Sequence, residues 1–269
     1  MIIDFHTHAF PDKIAAATVA ALAKSGNIPP YSDGTVSGLL SALCSAGVDA
    51  AVNLPVLTKP AQFDSITRFA KELCDREYGS QRIISFAGAH PDMDDVDGRL
   101  GYLKEQGFIG IKIHPDYQNT FIDDERYVRI FEAAKKYGLV VLTHAGLDRA
   151  YIGQLIKCTP RRVLNLFDKI GGYEKTVLAH IGGSELYDDV YSELCGRDVY
   201  FDTAYSLHSI DEYRFKKIVE KHGDDRILFG SDSPWQNIGV EVDIIRGYRL
   251  GAESEEKIFS GNARKILGL

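Results

Sequence analysis

The chain has 269 residues, of which 45% are hydrophobic and 26% are charged, a composition typical of a globular protein with a large core. Its net charge of −7 argues against nucleic acid or an acidic membrane surface as a partner, because such partners bind basic surfaces. No apolar run approaches the roughly 20 residues that span a bilayer. The N-terminal MIIDFHTH shows no secretory-signal pattern, so we expect a cytoplasmic protein.

Short apolar and β-branched runs recur along the chain and predict eight strands. In order they are Met1–Phe5, Val48–Leu54, Arg82–Ala89, Phe108–Ile113, Leu139–Thr143, Thr176–Ala179, Val199–Thr203 and Arg226–Gly230. Most are continuously apolar, which is typical of parallel strands covered on both faces. Helical periodicity appears at Val36–Ala46, Phe63–Tyr78, Val96–Gln106, Glu125–Tyr137, Ile152–Ile170 (broken at Pro160), Ser184–Cys195, Asp211–His222 and Val240–Tyr248. A last helix, about Ser254–Leu267, closes the chain.

Eight units of strand followed by helix predict either a closed barrel or an open, doubly wound sheet. No GxGxxG pattern follows the first strand, so the dinucleotide-binding form of the open sheet loses its main support. The chain contains no low-complexity segment, no linker rich in proline and serine and no shift in composition. We therefore expect residues 1–269 to form one domain.

Six of the eight histidines lie at the C-terminal ends of predicted strands. They are His6, His8, His90, His114, His144 and His180, and Asp232 ends the eighth strand. In a (β/α)8 barrel these ends converge on the face that carries active sites. An open sheet would not bring strands 1, 5, 6 and 8 together. The pattern predicts an α/β protein built as a single (β/α)8 TIM barrel with an extra C-terminal helix.

The same residues predict a metal site. Because side chains alternate along a strand, His6 and His8 point the same way and aim two imidazoles into the barrel mouth. Imidazole and carboxylate ligands without thiolates suit zinc, with iron, manganese and cobalt left open. The alternatives are a pair of hydrogen-bonded core histidines and an aspartate, Asp232, that caps its own loop. The four cysteines are widely scattered, so we expect reduced, mostly buried thiols.

Several motifs resemble a known family. Asp4-Phe5-His6-Thr7-His8 is similar to the D-x-H-x-H opening of the amidohydrolase superfamily. GIKIHP (110–115), LTHAG (142–146), LAHIGG (178–183), LFGSDSPW (228–235) and the terminal GNARKILGL (261–269) resemble its amidohydrolase-2 branch, which includes aminocarboxymuconate-semialdehyde decarboxylase. The resemblance runs from residue 2 to residue 269, in family order.

The resemblance implies residue roles. It gives His6, His8, His144 and Asp232 as ligands of one zinc ion. His180 becomes a catalytic histidine above the metal-bound water or a ligand of a second metal. Three assignments for Lys112 remain open: a positive group near substrate or metal, a carboxylated lysine that bridges two metals, and a structural ion pair.

We expect His114 and Trp235 to contact the substrate, although Trp235 would alternatively pack under its loop. His90 and His208 are lesser candidates, each with a structural alternative. His222 stands at the C-terminal end of the predicted helix Asp211–His222, where we expect a cation that faces solvent.

The main functional expectation is a metal-dependent hydrolase. Asp232 would take a proton from metal-activated water, which attacks an amide, ester or lactone carbonyl of a small molecule. The rival is a nonoxidative decarboxylase of the same branch. The hydrolase is favoured because the chain is short and shows no long insertion that would enlarge the substrate pocket. A non-catalytic metal-binding protein would show a broken ligand set, which this sequence does not. Homo-oligomerisation stays open.

Overall fold

Parallel β-strands form the centre of the protein. The computed structural model describes residues 1–269, and its strands are β1 (Ile3–Thr7), β2 (Ala50–Asn53), β3 (Arg82–Ser85), β4 (Ala87–Gly88), β5 (Gly110–Ile113), β6 (Val140–Thr143), β7 (Thr176–Leu178), β8 (Tyr200–Asp202) and β9 (Ile227–Leu228). Two parallel sheets contain them, in the orders β1-β2-β3 and β4-β5-β6-β7-β8-β9. Only Phe86 separates β3 from β4, so the two segments together occupy the third of eight strand positions.

Backbone hydrogen bonds join the last strand to the first. The amide of Phe5 donates to the carbonyl of Phe229 at 2.7 Å, and the amide of Asp232 donates to the carbonyl of His6 at 2.8 Å. At Phe86 the amide donates to the carbonyl of Asn53 at 2.9 Å, which carries the pairing across the break between the sheets. The strands thus form the predicted (β/α)8 barrel.

Helices surround these strands. Their bounds are α1 (Asp12–Gly26), α2 (Val36–Ala46), α3 (Phe63–Asp75), α4 (Val96–Glu105), α5 (Glu125–Tyr137), α6 (Pro160–Ile170), α7 (Tyr187–Asp189), α8 (Glu212–His222), α9 (Ile238–Gly247), α10 (Ala252–Glu256) and α11 (Asn262–Leu267). Short 3-10 turns cover Pro60–Gln62, Arg149–Tyr151 and Asp224–Arg226, and π-helical turns cover Val190–Leu194 and Lys257–Gly261. None of these helices combines the length and apolar character that crossing a bilayer requires.

Three helical predictions differ from the structure. Helix α1 was not predicted, although its segment is rich in alanine, the residue with the best helix propensity. The predicted helix Ile152–Ile170 begins only at Pro160, because proline is favoured in the first helical turn, where its missing N–H costs nothing. The predicted helix Ser184–Cys195 is a single α turn followed by a π turn.

Apolar side chains fill the inside of the barrel below its mouth. A cluster of 16 buried residues includes Phe5, Phe86 and Leu142 from the strands. The same cluster contains Ile266 and Leu267 of α11, so the extra C-terminal helix packs against the interior. A second cluster of 55 buried residues lies between the strands and the surrounding helices. The polar residues of the mouth therefore stand on a packed, rigid base.

His222 is not the solvent-facing cation that the sequence suggested. It is buried, stacks on Phe201 with ring centroids 3.9 Å apart, and its Nε2 contacts the carbonyl oxygen of Val199 at 3.0 Å. The apolar face of α8 turns it inward, and burial lowers the pKa of His222 to about 4. The expectation of mostly buried thiols is also wrong, since Cys44 and Cys74 are exposed and only Cys158 is fully buried.

The low pKa of His222 predicts acid sensitivity. The unfolded chain, with a histidine pKa near 6.5, binds a proton that the folded state rejects down to about pH 4. The free energy of unfolding is therefore highest above pH 6.5 and falls as the pH drops through this window. Between pH 7.5 and pH 5 wild type should lose about 2 kcal/mol more than His222→Gln. Urea unfolding at both pH values measures this, and equal losses would show that His222 is protonated without cost.

Candidate metal centre and active site

A pocket opens at the C-terminal ends of the strands, with a volume of about 490 Å³. Its lining includes the eight main site residues that the sequence predicts, namely His6, His8, Lys112, His114, His144, His180, Asp232 and Trp235. A depression of similar size, about 520 Å³, lies at the opposite end of the barrel but has no histidine in its lining. The barrel thus gathers residues remote in sequence at one site, as expected.

Two imidazoles and one carboxylate converge in this pocket. The Nε2 atoms of His6 and His8 lie 3.3 and 3.1 Å from Oδ1 of Asp232. The structure has two groups of residues whose nitrogen and oxygen atoms could bind a metal and lie within 4.8 Å of one another. His6, His8 and Asp232 form the first, which we call the metal-suited group. His6 is fully buried, whereas His8 and Asp232 keep a small exposed fraction toward the pocket.

The hydrogen-bond partner of Nδ1 determines which nitrogen of each imidazole carries the proton. Nδ1 of His6 is 2.8 Å from the carboxylate of Asp202, and Nδ1 of His8 is 2.9 Å from the carbonyl oxygen of Leu54. Both partners are acceptors, so Nδ1 carries the hydrogen in each ring and Nε2 presents a lone pair. Two lone pairs then face the Asp232 carboxylate, an arrangement of acceptors that a cation stabilises. The donor set therefore fits a divalent metal, with the second ring nitrogen bonded as in metal-ligating histidines.

An irregularity in β1 allows this convergence. Strict alternation from Ile3 and Phe5, which pack in the barrel interior, would turn His6 away from the pocket. The register of β1 against β2 shifts between Asp4 and Thr7, as in a β-bulge, so alternation breaks between Phe5 and His6. Both histidines line the pocket, and His6 does so because of this local break.

His144 belongs to a chain of hydrogen bonds on the other side of the pocket. Nδ1 of His180 donates to the carbonyl oxygen of Ala204 at 2.7 Å, so its Nε2 accepts from Nδ1 of His144 at 3.0 Å. This leaves Nε2 of His144 with a lone pair, and that atom is buried without a hydrogen-bond partner. An orphaned, buried imidazole nitrogen in the pocket is a further atom that fits a metal ligand.

The second group of metal-suited atoms contains His114, His144 and Asp148. The rings of His114 and His144 stack with centroids 4.2 Å apart, and Nε2 of His114 is 3.3 Å from Oδ2 of Asp148. Nδ1 of His114 accepts from the amide of Tyr117 at 3.4 Å, which places the proton of His114 on Nε2, facing Asp148. This group therefore matches a hydrogen-bonded pair beside His144 better than a second metal site.

Positive charge lies beside the first group. Nζ of Lys112 is 3.2 Å from Nε2 of His6, and burial lowers the pKa of Lys112 to about 8. Burial also raises the pKa of Asp202 to about 6 and holds the pKa values of His6 and His144 well below the usual range. The imidazoles of His6 and His144 are thus neutral near pH 7, the form that binds metals.

The backbone at the site is strained. His180 and Asp232 have φ angles of 61° and 67°, in the left-handed region that non-glycine residues rarely adopt. Each such residue costs of order 1–3 kcal/mol and is held by its surroundings. A Cβ on Gly230 would lie 2.9 Å from Cβ of His6, so only glycine lets the eighth strand position approach the metal-suited group this closely.

The remaining candidates differ in whether they line the pocket. Trp235 lines the pocket. His90 accepts a hydrogen bond from the amide of Asp92 at 3.1 Å and lies outside the pocket lining, which matches its structural alternative. His208 also lies outside the lining and pairs with the buried Glu241 at 2.7 Å.

Asp202 and Asp148 contribute to the site but were missed from the sequence. Asp202 has a sequence signal, since it is a carboxylate that ends an apolar strand. Asp148 has none, because it lies in the loop after β6.

Comparisons with known proteins agree with this architecture. No curated protein sequence matches the chain. A solved 2,6-dihydroxybenzoate decarboxylase has a TM-score of 0.71 at 17% identity over 100% of this chain and 99% of that one. A 5-carboxyvanillate decarboxylase from Novosphingobium aromaticivorans, solved with manganese, has a TM-score of 0.69 at 17% identity, covering 100% and 96%. A protein named as a 2-pyrone-4,6-dicarboxylic acid hydrolase, from Pseudomonas putida, has a TM-score of 0.69 at 17% identity, covering 99% and 97%.

At these identities the solved structures support the barrel fold alone. The family model described as amidohydrolase matches residues 3–269, almost the whole chain, including every residue of the metal-suited group. The chain therefore belongs to the amidohydrolase family.

Proposed function

We propose that this chain is a metal-dependent enzyme that decarboxylates a small unsaturated or aromatic carboxylic acid without net oxidation. The observation that carries the proposal is the convergence of the His6 and His8 lone pairs on the Asp232 carboxylate, beside the buried Lys112. The similar solved structures support it, because two of the three described above are named as decarboxylases of aromatic acids.

This proposal reverses the preference for hydrolysis drawn from the sequence. That preference rested on the short chain and on the absence of an evident long insertion that would enlarge the substrate pocket. Helix α1 adds 15 residues between β1 and α2, and three of its side chains line the pocket. The segment between β1 and α2 therefore contributes to the wall of the pocket, which weakens that reason for preferring hydrolysis.

His6, His8 and Asp232 would hold the metal, with Nε2 of His144 as a further ligand. When bound, a divalent cation would polarise a carboxylate or hydroxyl oxygen of the substrate as a Lewis acid. Zinc remains the expected metal from the sequence, and the same imidazole and carboxylate set also suits manganese. The assignment of Lys112 as a positive group near the substrate is favoured over a bridging carbamate, because a carbamate would bridge two metals and the second group matches a hydrogen-bonded pair better than a metal site.

The chain's own residues would divide the remaining work. Lys112 supplies positive charge that attracts the acid, and burial strengthens this attraction because the local dielectric constant is low. As the bond from the carboxylate to the ring or alkene carbon breaks, carbon dioxide leaves and the electron pair stays on that carbon. Oδ2 of Asp232 makes no hydrogen bond to the protein and lines the pocket, so we assign it to take up a proton from solvent water and deliver that proton to the carbon, which completes the product. His180 orients His144 through the bond to its Nδ1.

Hydrolysis is the second candidate, favoured by the similarity to the pyrone dicarboxylic acid hydrolase. In that case Asp232 would accept the proton of an attacking water and pass it to the leaving group. The metal-suited residues are common to both reactions, so the products must separate them.

Analysis of products gives the first prediction for this site. Metal-loaded enzyme is incubated in ¹⁸O-water with a panel that contains carboxyl-¹³C-labelled 2,6-dihydroxybenzoate, carboxyl-¹³C-labelled 5-carboxyvanillate and 2-pyrone-4,6-dicarboxylate. We expect ¹³C-labelled carbon dioxide and a product one carboxyl group smaller, measured by mass spectrometry. A new carboxylate that contains ¹⁸O, without release of carbon dioxide, would contradict decarboxylation and favour the hydrolase.

Asp232→Asn tests the proton-delivering residue. The amide keeps the size of the carboxylate but cannot donate an acidic proton, so turnover should fall by about two orders of magnitude or more. Metal should be partly retained, because His6 and His8 remain. The matched control is Asp198→Asn, the same change at an exposed residue near the opposite end of the barrel, and it should keep wild-type turnover. Near wild-type rates in Asp232→Asn would remove Asp232 from the mechanism.

Asp202→Asn tests the metal-suited group through its affinity for metal, without a measurement of turnover. Asp202 orients His6 through Nδ1, and loss of such a partner weakens metal affinity about 10–100-fold. Competition with a chelator, followed by elemental analysis, measures this affinity. Asp148→Asn is the comparison, since Asp148 contacts His114 and neither His6 nor His8, so it should lower the metal affinity less than Asp202→Asn does. The reverse order of effects would place the metal at His114, His144 and Asp148 instead.

A further inference from the structure

Helix α1 is an addition to the first strand–helix unit. The unit already has α2 as its barrel helix, with Leu39 and Leu43 buried against the main core. Helix α1 precedes it and contacts the turn Arg149–Tyr151, which follows β6 on another part of the rim. It therefore lies across the mouth of the barrel instead of completing the ring of helices.

Two stripes of side chains on α1 have different surroundings. Ala15 and Val19, four residues apart, are buried and fix the helix to the protein. The neighbouring stripe consists of Ile14, Thr18 and Leu22, also at intervals of four, and all three line the pocket. This second stripe presents mostly apolar surface to the open space of the cavity, where Ile14 is 49% exposed.

A second helix supplies apolar side chains to the same pocket. Ile66 and Phe69 of α3 line it and are only partly buried, and Ile28 and Val56 add to the wall. None of these side chains can bind a metal or move a proton. The pocket therefore has a polar region around the imidazoles and an apolar region between α1 and α3, within one continuous cavity.

The size of the cavity exceeds what a single ring needs. An apolar cavity of about 150 Å³ is enough to hold benzene, and this pocket has a volume of about 490 Å³. Pockets of roughly 300–1,000 Å³ hold ligands of drug size, mostly through apolar contacts. A monocyclic acid at the metal group would leave the apolar walls in contact with water.

We propose that α1 and α3 form a subsite for a hydrocarbon part of the substrate, either a second ring or an alkyl chain, attached to the acid that reacts at the metal group. The inference builds on the proposed decarboxylation but concerns binding alone. Leu22 and Ile66 are the specificity-determining residues. Burial of each additional methylene group in this subsite should increase affinity about fourfold, until the subsite is full.

Binding of 4-alkylbenzoates, from methyl to hexyl, tests the subsite by isothermal titration calorimetry on the metal-loaded enzyme. Wild type should bind each longer homologue about fourfold more tightly, with an increasingly negative heat-capacity change. Leu22→Glu, which places a charge in the subsite, should abolish this dependence on chain length. Ala21→Glu adds the same charge to the neighbouring exposed position outside the pocket lining and should preserve it.

Leu22→Trp provides a variant that keeps the helix apolar but fills the space. It should bind 4-methylbenzoate as wild type does and lose at least tenfold in affinity for 4-hexylbenzoate. A chain-length dependence that is absent in wild type, or equal in Leu22→Glu and Ala21→Glu, would overturn the subsite. Because binding is measured without turnover, the dependence can be present when no carbon dioxide is released. That result would reject the decarboxylase while the subsite stands.

Discussion

The site depends on an electrostatic conflict between acceptor atoms. Nε2 of His6 and Nε2 of His8 both present lone pairs to Oδ1 of Asp232, at 3.3 and 3.1 Å. In the low dielectric of a barrel mouth such an arrangement is costly unless a cation or a proton lies between the atoms. Lys112 offsets part of the charge, but its Nζ contacts only one of the two imidazoles in the structure. The remaining demand for positive charge is what a divalent metal would meet.

Neighbouring groups hold the imidazoles in the orientation that leaves these lone pairs facing the carboxylate. Asp202 and the carbonyl of Leu54 hold the Nδ1 protons, so neither imidazole can turn its donor toward Asp232. On the opposite side, the carbonyl of Ala204 fixes His180, and His180 fixes His144. Left-handed backbone at His180 and Asp232 adds strain that the packed base of the barrel must support. The polar atoms are therefore preorganised before any ligand binds, which is the property that catalysis by fixed charges requires.

The apolar part of the pocket gives the polar part its chemical setting. A substrate that covers the walls from α1 and α3 would exclude water from one side of the cavity, which would strengthen the attraction between the bound acid and the positive groups. The helix responsible, α1, is not needed to complete the barrel. An unchanged set of metal-suited residues can therefore serve substrates of different shape, because specificity lies in the segments that follow the strands.

The sequence by itself determined the barrel, the face that carries the site and most of the polar residues there. Eight apolar runs and histidines at their C-terminal ends carry this information locally, since strand periodicity and position are read directly from neighbouring residues. Tertiary structure decided the rest. The break of alternation before His6, the inward orientation of His222 and the contribution of Asp148 all arise from contacts between segments remote in sequence. For His6, His8, His144 and His180 the choice of protonated nitrogen depends on such contacts too, because the hydrogen-bond partner comes from another strand or loop and no local pattern encodes it.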